Sequence, residues 1–157
     1  MPDFINHFKI EHGDAVLDVG CAKGFMLHDF LKATQGVEVY GVDISEYAIK
    51  HCMPDVKPFC KVANAVSLPF DDNSMDVVIS ITTLHNLENE DLIKALREVE
   101  RVSKRGSFIT VDAYRNEIEK EAMMNWNLTA KTILHVDEWL EVFAEAGYSG
   151  DYYWFMP

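Results

Sequence analysis

The sequence of 157 residues has no run of 18 continuous apolar residues, no Cys-x-x-Cys pair and no His-x-x-x-His pair. The first absence leaves no segment that reads as a membrane-spanning helix, and the N-terminus shows no charged-then-apolar signal. Three cysteines, Cys21, Cys52 and Cys60, make no disulfide framework, so reduced thiols and a cytoplasmic location are expected. The six histidines are scattered, and no metal is expected. Basic charge is also scarce: 14 Lys and Arg stand against 26 Asp and Glu, a net charge of −12. That balance argues against nucleic acid or a membrane surface as partner, because phosphate binding is driven by clustered cations. The one basic cluster, Arg101, Lys104 and Arg105, falls at the end of a predicted helix, where cations complement the helix dipole. With no repeat, low-complexity tract or linker, residues 1–157 read as one domain, large enough to bury roughly 70% of its unfolded surface.

What is present alternates between strand-like and helix-like stretches. The runs 15–19, 38–44, 57–63, 75–81 and 106–114 read as strands, and "MDVVISI" (75–81) is continuous enough to be buried on both faces of a parallel sheet. Helices are predicted over 25–34, with Met26, Leu27, Phe30 and Leu31 on one side, and from Ser45, a good N-cap, towards Pro54. A further helix starts at the acidic group Glu88, Glu90 and Asp91 and carries Leu92, Leu96 and Val99 at helical spacing. After Tyr114 a polar, methionine-rich stretch is only partly helical. Trp139, Leu140, Phe143 and Ala144 then form an apolar stripe that Gly147 stops. Residues 148–155 read as a last strand. The expectation is a three-layer α/β sandwich with a mostly parallel central sheet, whose ligand lies at the C-terminal ends of the strands.

The loops at those ends carry a consistent chemistry. After strand one come Asp18, Gly20, Ala22 and Gly24; after strand two, Asp43 and Ile44; after strand three, Asn64 and Ala65; after strand four, Thr82 to Leu87. Each has an ordinary structural explanation, as a turn, a helix cap or an Asx-turn. Together they suit a nucleoside. Small residues at 20, 22 and 24 let a ligand lie against bare backbone, Asp43 can accept from both ribose hydroxyls, and Asn64 can accept from an adenine amino group. Asp18 suits a cation and would repel a pyrophosphate.

In their order, "VLDVGCAKGF", "VYGVDIS", "VANAVSLPFDDNSMDVVIS" and "LREVERVSKRGSFITVDAY" resemble the successive motifs of class I S-adenosylmethionine-dependent methyltransferases of the small-molecule kind, over about two thirds of the chain. The resemblance implies a Rossmann-like methyltransferase fold with S-adenosylmethionine as cofactor. It assigns Asp18, Gly20, Ala22 and Gly24 to the methionyl end, Asp43 to the ribose, Ile44, Asn64 and Ala65 to the adenine, and Thr82 to the neighbourhood of the sulfonium. Two departures stand out in the motifs. Ala22 replaces the usual middle glycine, which is tolerable with a negative φ, and Asn64 replaces a common aspartate. The ends depart as well. The N-terminal helices that often cover the cofactor are nearly lacking, and one strand replaces the usual closing hairpin. A terminal strand is thus expected to be missing and the site to be open, with a second copy of the chain as one way of completing it.

The acceptor is expected to be a small molecule methylated on O or N. His85 is the candidate general base, since a neutral imidazole can take a hydroxyl's proton near pH 7. Tyr114 and Trp126, after strand five, are the candidate substrate contacts, while His135 and the aromatic tail belong to packing. Two other readings compete: a non-catalytic, cofactor- or partner-binding module, and a nicotinamide-dependent oxidoreductase. The second would want Gly-x-Gly-x-x-Gly.

Overall fold

The computed structural model describes residues 1–157. In chain order the elements are α1 (Pro2–Phe8), β1 (Ala15–Val19), α2 (Phe25–Ala33), β2 (Glu38–Asp43), α3 (Glu46–Lys50), β3 (Cys60–Val62) and β4 (Met75–Ile81). They continue with α4 (Asn89–Val102), β5 (Ser103–Tyr114), α5 (Glu117–Trp126), β6 (Leu134–His135), α6 (Val136–Ala146) and β7 (Asp151–Phe155). The seven strands form one sheet in the order β3-β2-β1-β4-β5-β6, with β7 also paired to β5. Every pairing is parallel. Both late strands pair with β5: β7 lies along Phe108–Asp112 and the two residues of β6 along Ala113–Tyr114.

Burial on both faces explains why the central strands carry no polar alternation. In β1, Val16 faces one core while Leu17 and Val19 face the other; in β4, Val77 and Ile79 oppose Val78. The larger core packs Leu92, Leu96, Val99 and Val102 of α4 and Trp139 and Phe143 of α6 against the sheet. The smaller is closed by Leu27 and Phe30 of α2 and by Phe8 of α1.

Helix α1 is absent from the sequence reading because it is short; it is anchored by Phe4, whose ring meets Phe108 edge-on at 4.9 Å. Boundaries shift as well. Lys57–Phe59 turns as a 3-10 helix, since Pro58 has no N–H to offer a ladder, and leaves only Cys60–Val62 in β3. Helix α3 ends at Lys50. Leu140 is 45% exposed and stands off the buried stripe of α6, which His135 begins as part of a capping box and Gly147 ends in the left-handed region.

Candidate functional site

The loops after β1, β2, β3 and β4 converge on one cleft of about 550 Å³, the size of a small-molecule site. Its walls include Gly20, Ala22, Asp43, Ile44, Asn64, Ala65 and Thr82. Seven of the nine expected cofactor residues are therefore brought together. Asp18 and Gly24 are not on the surface of the cleft. Asp18 is buried in β1 beneath it, and Gly24, with φ 77°, makes room for Val56, whose Cγ2 lies 2.6 Å from where a Cβ would stand.

Asp43 fastens two loops to each other. Its Oδ2 accepts from the Ala22 N–H at 2.9 Å and its Oδ1 from the Ser45 N–H at 2.8 Å. A carboxylate has about four lone-pair positions, so two remain free toward the cleft. Beside it Ile44 is 71% exposed, an apolar surface that a flat aromatic ring would cover.

The glycine loop corrects one expectation. Ala22 has φ 46°, on the left-handed side rather than the negative one. That conformation costs a residue with a Cβ roughly 1–2 kcal/mol, and the bond to Asp43 helps hold it. Gly20 has no such latitude, since at φ 88° an added Cβ would stand 2.1 Å from Thr83 Oγ1. Asn64 spends its amide oxygen partly on an Asx-turn, accepting from the Val66 N–H at 3.1 Å.

Thr82, a β-branched residue at φ 49°, is the most strained residue of the cleft. Its N–H donates to Thr110 Oγ1 at 2.8 Å. Thr82 also borders a second cavity of about 200 Å³, whose lining includes His85, Asp112, Trp126 and Asn127. The segment after α5 forms the outer wall of this cavity. Lys131 and Thr132 donate their N–H groups to the His85 carbonyl at 3.0 and 2.9 Å, and Thr132 Oγ1 donates to the Leu87 carbonyl at 2.6 Å.

His85 is 4% exposed, and its Nδ1 accepts the backbone N–H of Asp112 at 3.0 Å. In a neutral ring the proton then sits on Nε2, and Nδ1 has no free lone pair for an incoming proton. The geometry thus amends the expectation of His85 as general base: it lines the second cavity beside Thr82 with its hydrogen-bond-accepting nitrogen already engaged. Burial lowers the His85 pKa, against the opposing pull of the Asp112 carboxylate. Burial also raises that of Asp112, with His85 opposing it. Of the two substrate residues expected, Trp126 lines the second cavity and Tyr114 does not; its ring packs against His135 at 5.7 Å.

Sequence reasoning named the loop Thr82 to Leu87 as a whole, and Thr83, Asn86 and Leu87 of it do line the first cleft, though no separate role was given to them. It missed Lys131 in the first cleft and Asp112 in the second. Nothing marks Lys131 or Asp112, which join their sites only through tertiary packing.

A family model described as "Methyltransferase domain" matches residues 17–111. The tRNA (carboxymethyluridine(34)-5-O)-methyltransferase of Arabidopsis thaliana is 35% identical over 84% of this chain and 31% of its own length. The mitochondrial arginine-hydroxylase NDUFAF5 of Mus musculus is 34% identical over 56% of this chain and 25% of its own. The chain therefore spans only a quarter to a third of these curated relatives. Among solved structures, the complex of the Haloferax volcanii Trm112 methyltransferase activator with a methyltransferase matches 93% of this chain and 66% of that one, with TM-score 0.75 and 23% identity. With its motifs in order, its parallel sheet and its cleft at the strand ends, the chain belongs to the methyltransferase domain family of class I S-adenosylmethionine-dependent methyltransferases.

Proposed function

We propose that residues 1–157 act as one domain that binds S-adenosylmethionine in the larger cleft and transfers its methyl group to a small molecule held in the smaller cavity. The observation that carries this reading is the convergence of Gly20, Ala22, Asp43, Ile44, Asn64, Ala65 and Thr82 on one cleft. These residues fit the cofactor. Asp43 has lone pairs left for a ribose, Ile44 offers exposed apolar surface to the adenine, and Asn64 and Ala65 border the same end. Gly20 and Ala22 expose backbone to the methionyl part, with Asp18 and Gly24 shaping the loop from behind.

When bound, S-adenosylmethionine supplies an electrophilic methyl carbon, and the new bond to the acceptor forms as the carbon–sulfur bond breaks to leave a neutral thioether. The protein's own part is mostly positional: it aligns the acceptor and excludes water. Thr82 divides the two cavities, and His85, Trp126 and Asn127 shape the acceptor side.

The Arabidopsis relative acts on tRNA, which makes a nucleic-acid acceptor the second reading. Charge argues against it here. Arg101 is paired with Glu98 and Asp72, Lys104 with Asp76 and Arg105 with Asp14, so the only basic cluster is spent within the molecule. The test is calorimetric titration with S-adenosylhomocysteine. Asp43→Ala should weaken binding by roughly 1.5–3 kcal/mol, the worth of hydrogen bonds to a charged group. Unchanged affinity would remove Asp43 from the site, and NAD should not bind.

A further inference from the structure

The smaller cavity holds a carboxylate with nothing to pair it. Asp112 is 1% exposed, and its Oδ1 is buried without a hydrogen-bond partner. Its backbone is otherwise employed: the N–H donates to His85 Nδ1 at 3.0 Å, and the carbonyl accepts from Trp139 Nε1 at 3.0 Å. The same Nδ1 lies 3.4 Å from Oδ1. Because Nδ1 is accepting, it has no proton to give the carboxylate. A buried ionised carboxyl without a donor costs several kcal/mol, so the protein keeps here an unmet demand for a donor on a wall of the cavity beside Thr82.

We propose that Asp112 reads the methyl acceptor, and that the acceptor is a small amine whose N–H group pairs with this carboxylate. This rests on the reading of the adjoining cleft as the S-adenosylmethionine site. Three features favour an amine over a hydroxyl or an acid. A carboxylate only accepts, and an ammonium meets its charge as well as its lone pairs, forming an ion pair that a neutral hydroxyl cannot make and an acid would oppose. The indole of Trp126, which lines the same cavity and is 51% exposed, offers an aromatic face that a cation can use. The net charge of −12 favours the approach of cations and disfavours that of anions.

The same carboxylate supplies a step that an amine acceptor needs. An ammonium has no lone pair to methylate. One N–H bond breaks and one O–H bond forms on Asp112, converting ammonium and carboxylate into amine and carboxylic acid with no change in net charge. Burial, which raises the Asp112 pKa, favours this transfer. His85 keeps the Asp112 backbone in place while its Nδ1 stays out of the exchange.

The experiment uses three near-isosteric probes, benzylamine, benzyl alcohol and benzoate. Each is titrated into the isotope-labelled chain saturated with S-adenosylhomocysteine and followed at the Trp126 indole resonance. Benzylamine should bind about tenfold or more tighter than benzyl alcohol, and benzoate should not bind. Asp112→Asn should remove the preference for the amine while affinity for S-adenosylhomocysteine stays within about twofold, which reports an intact fold. Equal binding of alcohol and amine, binding of benzoate, survival of the preference in Asp112→Asn, or no response at Trp126 to any probe would each overturn the proposal. If Asp112→Asn does not fold, the ranking of the three probes on the unmodified chain decides alone. Failure to bind S-adenosylhomocysteine at all would overturn the cofactor site and this inference with it. Binding of it without an amine preference would overturn the inference only.

Discussion

Ala22 and Asp18 show how the same loop can be tuned by backbone strain and by burial. Ala22 holds φ 46° in the position where a glycine would sit without strain. Ala22→Gly should therefore leave thermal stability unchanged or raise it by up to about 1 kcal/mol, relief of strain outweighing the added freedom of the unfolded chain. The control is Ala95→Gly inside α4, which should cost about 1 kcal/mol. Both are read from denaturant midpoints. Asp18 is pushed up to about 7, chiefly by burial and then by the neighbouring Cys60 and Asp43. Between the ordinary carboxyl range and that value, the folded chain holds a proton that the unfolded chain has released. Stability from this group is accordingly full on the acid side and declines as pH rises through about 7. Asp18→Asn should flatten that decline between about pH 5 and about pH 7.5, as chemical denaturation at each pH would show. The sequence marked both residues as part of a binding loop. It could not disclose the sign of φ at 22 or the depth of 18, because both depend on what the rest of the fold packs around them.

The elements differ in how plainly they could be read. Strands β1 and β4 had their bounds legible in the chain, since strands covered on both faces need unbroken apolar runs. Strand β3 was overextended, because Pro58 inside an apolar-looking run turns the backbone aside. The segment 127–132 is the hardest case. It has no periodicity of its own, yet its N–H groups at 131 and 132 and the Thr132 hydroxyl fasten it to the turn that carries His85. Thr132→Val keeps the shape and removes the hydroxyl, so the Leu87 carbonyl loses its donor. The expected cost is about 1 kcal/mol, with faster amide exchange confined largely to residues 127–132 and the turn at 84–87. Uniform exchange across the sheet would mean that this segment does not act as a local wall.

At the scale of the whole molecule, composition proved a sound guide to charge and a poor one to partners. The count of acidic residues was visible at once, but most of the pairing of Arg101, Lys104 and Arg105 with acids was not, since apart from Arg101–Glu98 those contacts bridge residues distant in sequence, as Arg105 does to Asp14. With its basic cluster internally spent, this chain should not retain transfer RNA in a gel-shift experiment at physiological salt, where affinity would depend on several free cations. Retention at micromolar protein would favour the nucleic-acid reading over the small-molecule one.

The order of the sheet has a consequence for how the molecule comes into being. Strand β1, made early, occupies the middle, with β2 on one side and β4 on the other. During synthesis β1 and β2 can meet once both have left the ribosome, but the other edge of β1 stays bare until Met75–Ile81 follows. Long-range parallel pairing of this kind is slow and exposes unpaired edges while it waits. Thr82, which lines the cleft together with Gly20 and Asp43, emerges only after β4. A nascent chain halted before Ile81 thus carries the loops after β1, β2 and β3 and an open strand edge, a species for chaperones to hold whose cleft still lacks its fourth loop.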